Sequence, residues 1–121
     1  MIAETQKPED LRPRTKKFAL KIIRLYSTPP KETVAQVLGK QLLRSGTSVG
    51  AHYREAFRGK SRADFISKME GALQELDETQ YWLELLVEAG SVSQQHLQAL
   101  LDEVDELISI FVTIVKRTKD Q

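Results

Sequence analysis

Gln41–Leu86 reads QLLRSGTSVGAHYREAFRGKSRADFISKMEGALQELDETQYWLELL. The segment holds no phosphate loop, nucleophile elbow or metal-ligand cluster. It pairs a helix carrying Gly46 and Gly50, one turn apart on a single face, with a basic turn and a long amphipathic helix. Each glycine costs about 1 kcal/mol relative to alanine in a helix interior, so two together need a compensation. Close approach of a second helix supplies one, and Ser45, Ser48 and Ala51 enlarge the small-residue surface. A break or kink near Gly46 is the competing reading.

Working outward, the helix holding these glycines is expected to start near Lys31 and to turn Val34, Leu38, Leu42, Ser45, Val49, His52 or Tyr53, and Ala56 inward. Gly59 ends it and Lys60-Ser61 turns the chain. Ser61 followed by Asp64 resembles a capping arrangement for the next helix. That helix carries Phe65, Met69, Ala72 or Leu73, Leu76, Leu83, and Leu86 or Val87 at helical period, with Gly90 as its left-handed stop. Upstream, Phe18, Ile22 and Leu25 form a first apolar stripe, and Ser27-Thr28-Pro29-Pro30 must end it. Downstream, Ser93 caps a last helix with Leu97, Leu100 or Leu101, Val104, Leu107 or Ile108, Phe111, and Ile114 or Val115 inward. No segment alternates at period two. The expectation is all-α: an antiparallel up-down four-helix bundle. It fills one domain over residues 13–119, preceded by a disordered lead over residues 1–12.

The chain has 121 residues and no cysteine, which excludes a disulfide framework and a thiolate metal site. The start lacks a signal-peptide pattern and the apolar runs are too short to span a bilayer, so a soluble cytoplasmic protein is expected. The net charge is +1, but its distribution is uneven. Residues 1–62 carry 14 Lys and Arg against 5 acids; residues 63–121 carry 4 against 12. Such asymmetry fits either a surface facing a polyanion or two halves that satisfy one another across helix faces.

A di-metal carboxylate centre would need Glu-x-x-His motifs, and the residues three before His52 and His96 are Val49 and Ser93. No catalytic residue, metal site or cofactor is expected. The basic residues make the better case. Arg14, Lys17, Lys21 and Arg24 follow one face of the first helix; Arg54 and Arg58 lie one turn apart, with Lys60 and Arg62 just beyond. All eight are candidate phosphate contacts, which would give salt-sensitive, sequence-independent affinity. Tyr53 and Phe57 accompany the second group, which fits a basic patch with interleaved aromatics or, as the favoured expectation, two core side chains. Trp82 lies off the main stripe with Ile66 and Leu85. It marks either a subunit interface or a wide core stripe around a bulky indole.

Three blocks carry a family resemblance: Gln41–Ala51 running on to Arg54-Glu55-Ala56; Ser61 with Asp64–Lys68; and Glu75, Glu78-Thr79 and Tyr81–Leu86. They resemble the four-helix bundle family associated with intervening sequences in bacterial 23S ribosomal RNA genes, over about Lys17 to Val115. His52 stands where that family commonly carries asparagine. The family is in turn similar to the accessory variability determinant of diversity-generating retroelements, a pentameric barrel that binds nucleic acid and partners a reverse transcriptase. The resemblance implies a homo-oligomeric ring, a pentamer, with Trp82 near the interface. It also implies an accessory protein with RNA or DNA as partner. The alternative is a protein-interaction scaffold without nucleic-acid binding, whose acidic later helices dock a basic protein such as a reverse transcriptase. A ring of these nearly neutral subunits would lack the large positive field of that strongly basic relative.

Overall fold

Short polar side chains start three of the four helices among the described residues. The computed structural model describes residues 10–121. Asp10 Oδ1 accepts the Arg12 N–H at 3.0 Å and opens α1 (Leu11–Leu25). Ser61 Oγ accepts the Asp64 N–H at 3.1 Å and opens α3 (Arg62–Glu88). Ser93 Oγ accepts the His96 N–H at 3.2 Å and opens α4 (Gln94–Lys119). Each satisfies a donor that a helix start would otherwise orphan. Helix α2 (Thr33–Ala56) follows Pro29-Pro30 with no side-chain cap. Gly90 takes a left-handed φ of 76° just past α3, where a side chain would be strained.

Cross-helix contacts set an up-down order. On α1 and α2, Leu11, Thr15, Ile22 and Tyr26 meet Tyr53, Gly50, Gly46 and Gly39 in reverse sequence. Arg44 with Glu75 and Lys68 with Glu55 run α2 against α3. Gln80 with Asp105 and Lys119 with Glu70 run α3 against α4. The expected stripes interlock between them: Phe18, Ile22, Leu42, Val49, Met69, Leu76, Leu83, Leu97, Val104, Leu107 and Phe111 are all buried. Each large side chain removed from water contributes roughly 1.5–3 kcal/mol.

The two glycines are seats for α1, and α2 passes through both without a break. A Cβ on Gly46 would lie 2.3 Å from Ile22 Cδ1; one on Gly50 would lie 3.0 Å from Thr15 Oγ1. Gly39, which no sequence pattern singles out, does the same for Tyr26, whose Cε1 would be 2.6 Å away.

Three expectations need correction. Most of the lead, residues 1–9, lies outside the described residues, but α1 already begins at Leu11 rather than past residue 12. Leu11 is fully buried and its N–H donates to the Tyr53 hydroxyl at 3.2 Å. A lone leucine among charges and a proline carries no period, so nothing in the local pattern marks it. Helix α2 starts at Thr33 and Val34 is 47% exposed; Ala35 is buried instead. The inward face there is the small-residue face, because the Tyr26 ring occupies the space beside Gly39. Phe57, expected in the core, is 59% exposed: α2 ends at Ala56, beyond the start of α1, so among the described residues no fourth helix covers that side.

Polar groups are buried where α2 meets α3. The Thr79 hydroxyl lies 2.8 Å from both Ser45 Oγ and the Glu75 carbonyl oxygen. The Glu75 carboxylate, also largely buried, is 3.1 Å from Arg44 Nη1, and Arg44 Nη2 reaches Glu78 at 2.5 Å. Helix α1 packs closely on α2 but only lightly on α4, leaving an open groove along the α1–α4 seam.

Candidate nucleic-acid interface

The eight basic candidates do not form one surface. Arg14 turns into the α1–α4 seam, where Nε and Nη2 grip the two Glu103 oxygens at 2.9 and 2.7 Å and Glu106 lies 3.4 Å away. A bidentate guanidinium–carboxylate pair of this kind fixes geometry as well as charge. Lys17 and Lys21 line the adjoining groove, about 620 Å³, whose opposite wall is Asp102, Glu103 and Glu106. Arg24 belongs to the last turn of α1, at the opposite end from Arg54. The first-helix stripe therefore faces the acids of α4 over much of its length.

Arg54, Arg58, Lys60 and Arg62 stay together. They occupy the last turn of α2, the connecting turn and the start of α3, and all are exposed. The fold adds a second group to this pole. Lys116, Arg117 and Lys119 in the last turn of α4 arrive at the same end: an Arg62 Nη donates to the Gln121 carbonyl, and Lys119 Nζ is 3.2 Å from Glu70. Arg12 sits there too, at the start of α1. Lysine and arginine in final turns suit the C-terminal ends of helix dipoles, which explains the placement in α2 and α4 locally. Their convergence is a property of the bundle. In the sequence the C-terminal cations read as a helix end alone, although an up-down order already puts that end beside the α2–α3 turn.

Acids at this pole are mostly committed. Asp10 is held below the usual carboxylate range by its hydrogen bonds from Arg12, with Arg54 adding a smaller pull. Glu55 is lowered by its hydrogen bond from Lys68, 3.1 Å away. Asp64 accepts the Lys60 backbone N–H at 3.1 Å. Among the described residues Arg54, Arg58, Lys60, Lys116 and Arg117 take part in no ion pair or side-chain hydrogen bond. The result is a set of uncommitted cations drawn from α2, its following turn and α4.

Phe57 stands among them. Its ring meets Tyr53 edge-on at 4.9 Å and Phe65 at 5.6 Å, each at 74°. Tyr53 itself is buried and packs on Phe111 at 5.7 Å, so the exposed ring is anchored to the core.

Elsewhere the candidates resolve differently. Trp82 is half-buried against the core, while Tyr81 beside it is 54% exposed. His52 faces Gly71 of α3, with Nδ1 3.9 Å from Glu55 Oε2. Among the described residues no group of three His, Cys, Asp or Glu could hold a metal ion, and no helix is long and apolar enough to cross a membrane.

Comparison with known proteins places the chain. No curated protein matches it. Among solved structures, a protein of unknown function from the S23 ribosomal protein family of Bacteroides thetaiotaomicron VPI-5482 is 38% identical. The match covers 88% of this chain and 99% of that one, with a TM-score of 0.82. The family described as 23S rRNA-intervening sequence protein matches residues 10–113, which span all of α1 to α3 and most of α4. The chain belongs to the 23S rRNA-intervening sequence protein family.

Proposed function

We propose that this protein is a non-enzymatic, oligomeric accessory protein that binds nucleic acid through the basic pole of its bundle. The observation that carries this reading is the convergence of Arg54, Arg58, Lys60 and Arg62 with Lys116 and Arg117, most of them without an internal acid partner. Guanidinium and ammonium groups clustered at one end of a bundle contact phosphate oxygens and release counterions. The scaffold alternative, with a basic partner on the acidic face of α4, has less support. Arg14 engages Glu103 and Glu106, Gln80 engages Asp105, and Gln98 engages Asp102.

The test is a salt series on binding to labelled RNA and duplex DNA. Replacing Arg54, Arg58 and Arg62 with alanine is expected to weaken binding to every sequence. The log–log salt slope should flatten by about 0.7–0.9 for each phosphate that is no longer neutralised. Lys17→Ala with Lys21→Ala should change the slope little, because an acidic wall faces those lysines. An unchanged slope in the triple variant would sink the assignment.

The proposed assembly is homo-oligomeric and uses the outer α2–α3 face. Val34 and Val37 are 47% and 55% exposed on α2, and the Arg44–Glu75 register brings them level with exposed Tyr81 and half-buried Trp82 and Leu85 on α3. Exposed apolar side chains at matching levels of two neighbouring helices favour a protein interface. Tyr81→Glu with Val37→Glu is expected to lower the mass seen in sedimentation to that of a single subunit while leaving helix content unchanged. Retention of the full oligomer would move the interface elsewhere.

A further inference from the structure

Phe57 is the most exposed large hydrophobic side chain among the described residues. Its ring is held outward at the end of α2. Tyr53 and Phe65 touch it edge-on at 4.9 and 5.6 Å, and edge-to-face contacts of this kind fix a ring's orientation. Tyr53 is immobilised in turn by the buried Phe111 and by the Leu11 N–H that donates to its hydroxyl. A preorganised aromatic surface thus rises from the core into solvent. Arg54 lies one turn before it on α2, Arg58 follows it directly, and Lys60 begins the turn beyond; none of the three side chains has an ion-pair partner among the described residues.

An exposed aromatic ring beside cations that form no ion pair among the described residues complements one chemistry in particular, a negatively charged strand that presents flat, unpaired rings. A duplex hides its base faces within the stack and offers only their edges, whereas a single strand can lay a base on an aromatic side chain while its phosphates meet the surrounding cations. Resting on the proposed nucleic-acid reading, we infer that Phe57 is a base-stacking platform and that the basic pole selects single-stranded over duplex nucleic acid. Arg54, Arg58 and Lys60 hold the phosphates on either side of the stacked base.

The experiment measures binding of the full chain to three probes at matched salt: a thymidine 20-mer, an abasic 20-mer with the same phosphates, and a 20-base-pair duplex. The thymidine strand is expected to bind about 5- to 150-fold more tightly than the abasic strand, the range for stacking one base, and more tightly than the duplex. Phe57→Leu should erase that preference without altering the salt slope. Phe57→Trp should keep it, and the added indole emission should quench when the thymidine strand binds. Equal, salt-dependent binding of thymidine and abasic strands would overturn the platform while leaving phosphate binding intact. So would a duplex bound as tightly as the single strand. No binding of any probe at low salt would overturn both, and would point to an acidic peptide at this pole instead.

Discussion

Gly46→Leu is expected to lower stability by about 3 kcal/mol, while Gly46→Ala should stay within about 1 kcal/mol of the parent. A Cβ at this position meets the terminal methyl of Ile22 at 2.3 Å, and the next neighbouring atom, also of Ile22, is 3.6 Å away. That methyl is the far end of a flexible side chain, so alanine can be admitted by a rotamer change, and its helix propensity returns about 1 kcal/mol. Leucine cannot be admitted so cheaply. Either Ile22 leaves the core, losing roughly 1.5–3 kcal/mol of burial, or α1 lifts from α2 at an overpacking cost of about 1–3 kcal/mol. Gly50 offers a sharper steric test despite its longer contact. Its neighbour Thr15 is tied to the Leu11 carbonyl by a 2.7 Å hydrogen bond and presents Cβ at 3.3 Å, so Gly50→Ala should cost more than Gly46→Ala. Urea unfolding of the three variants decides the matter. A Gly46→Leu protein as stable as the parent would mean that α1 does not seat on these glycines.

Arg44→Met should cost about 2 kcal/mol, and Arg44→Met combined with Glu75→Leu should recover most of it. The Arg44 side chain is half-exposed, but the Glu75 carboxylate it holds is largely buried between α2 and α3. An exposed ion pair contributes up to about 1 kcal/mol, whereas stranding a buried charge costs about 3–5 kcal/mol; the mixed burial here sets a value between them. Removing both charges leaves no stranded carboxylate, and an apolar replacement of a buried pair is often neutral or better. A double-mutant cycle in denaturant isolates the coupling. Additive losses would show that the pair acts as two independent surface charges.

Much of this architecture is legible in residue spacing. Met69, Leu76 and Leu83 on α3 and Leu97, Val104 and Phe111 on α4 repeat every seven residues, and all six are buried. Ser61, Ser93 and Gly90 mark their helix ends by chemistry that operates within a few residues. Thr79 and Glu75 were not legible as buried positions, because their burial depends on Ser45 and Arg44 lying opposite them. Arg14 is as basic as Arg54 in the sequence, and only the α4 carboxylates beside it turn it into an internal partner.

The sequence by itself determined the all-α class, the four helices, most of the inward stripes and the small surface at Gly46 and Gly50. Periodicity, capping and conformational cost are local and act within a turn or two of chain. The tertiary structure alone decided which cations are free and which are paired, that Lys116 and Arg117 join Arg54 and Arg58 at one pole, and that the Phe57 ring faces solvent. Those outcomes depend on distances between residues as many as 89 positions apart, as with Arg14 and Glu103, and on where α1 starts relative to the end of α2. Charge and burial at a bundle pole are sums over four helices, and no single helix contains them.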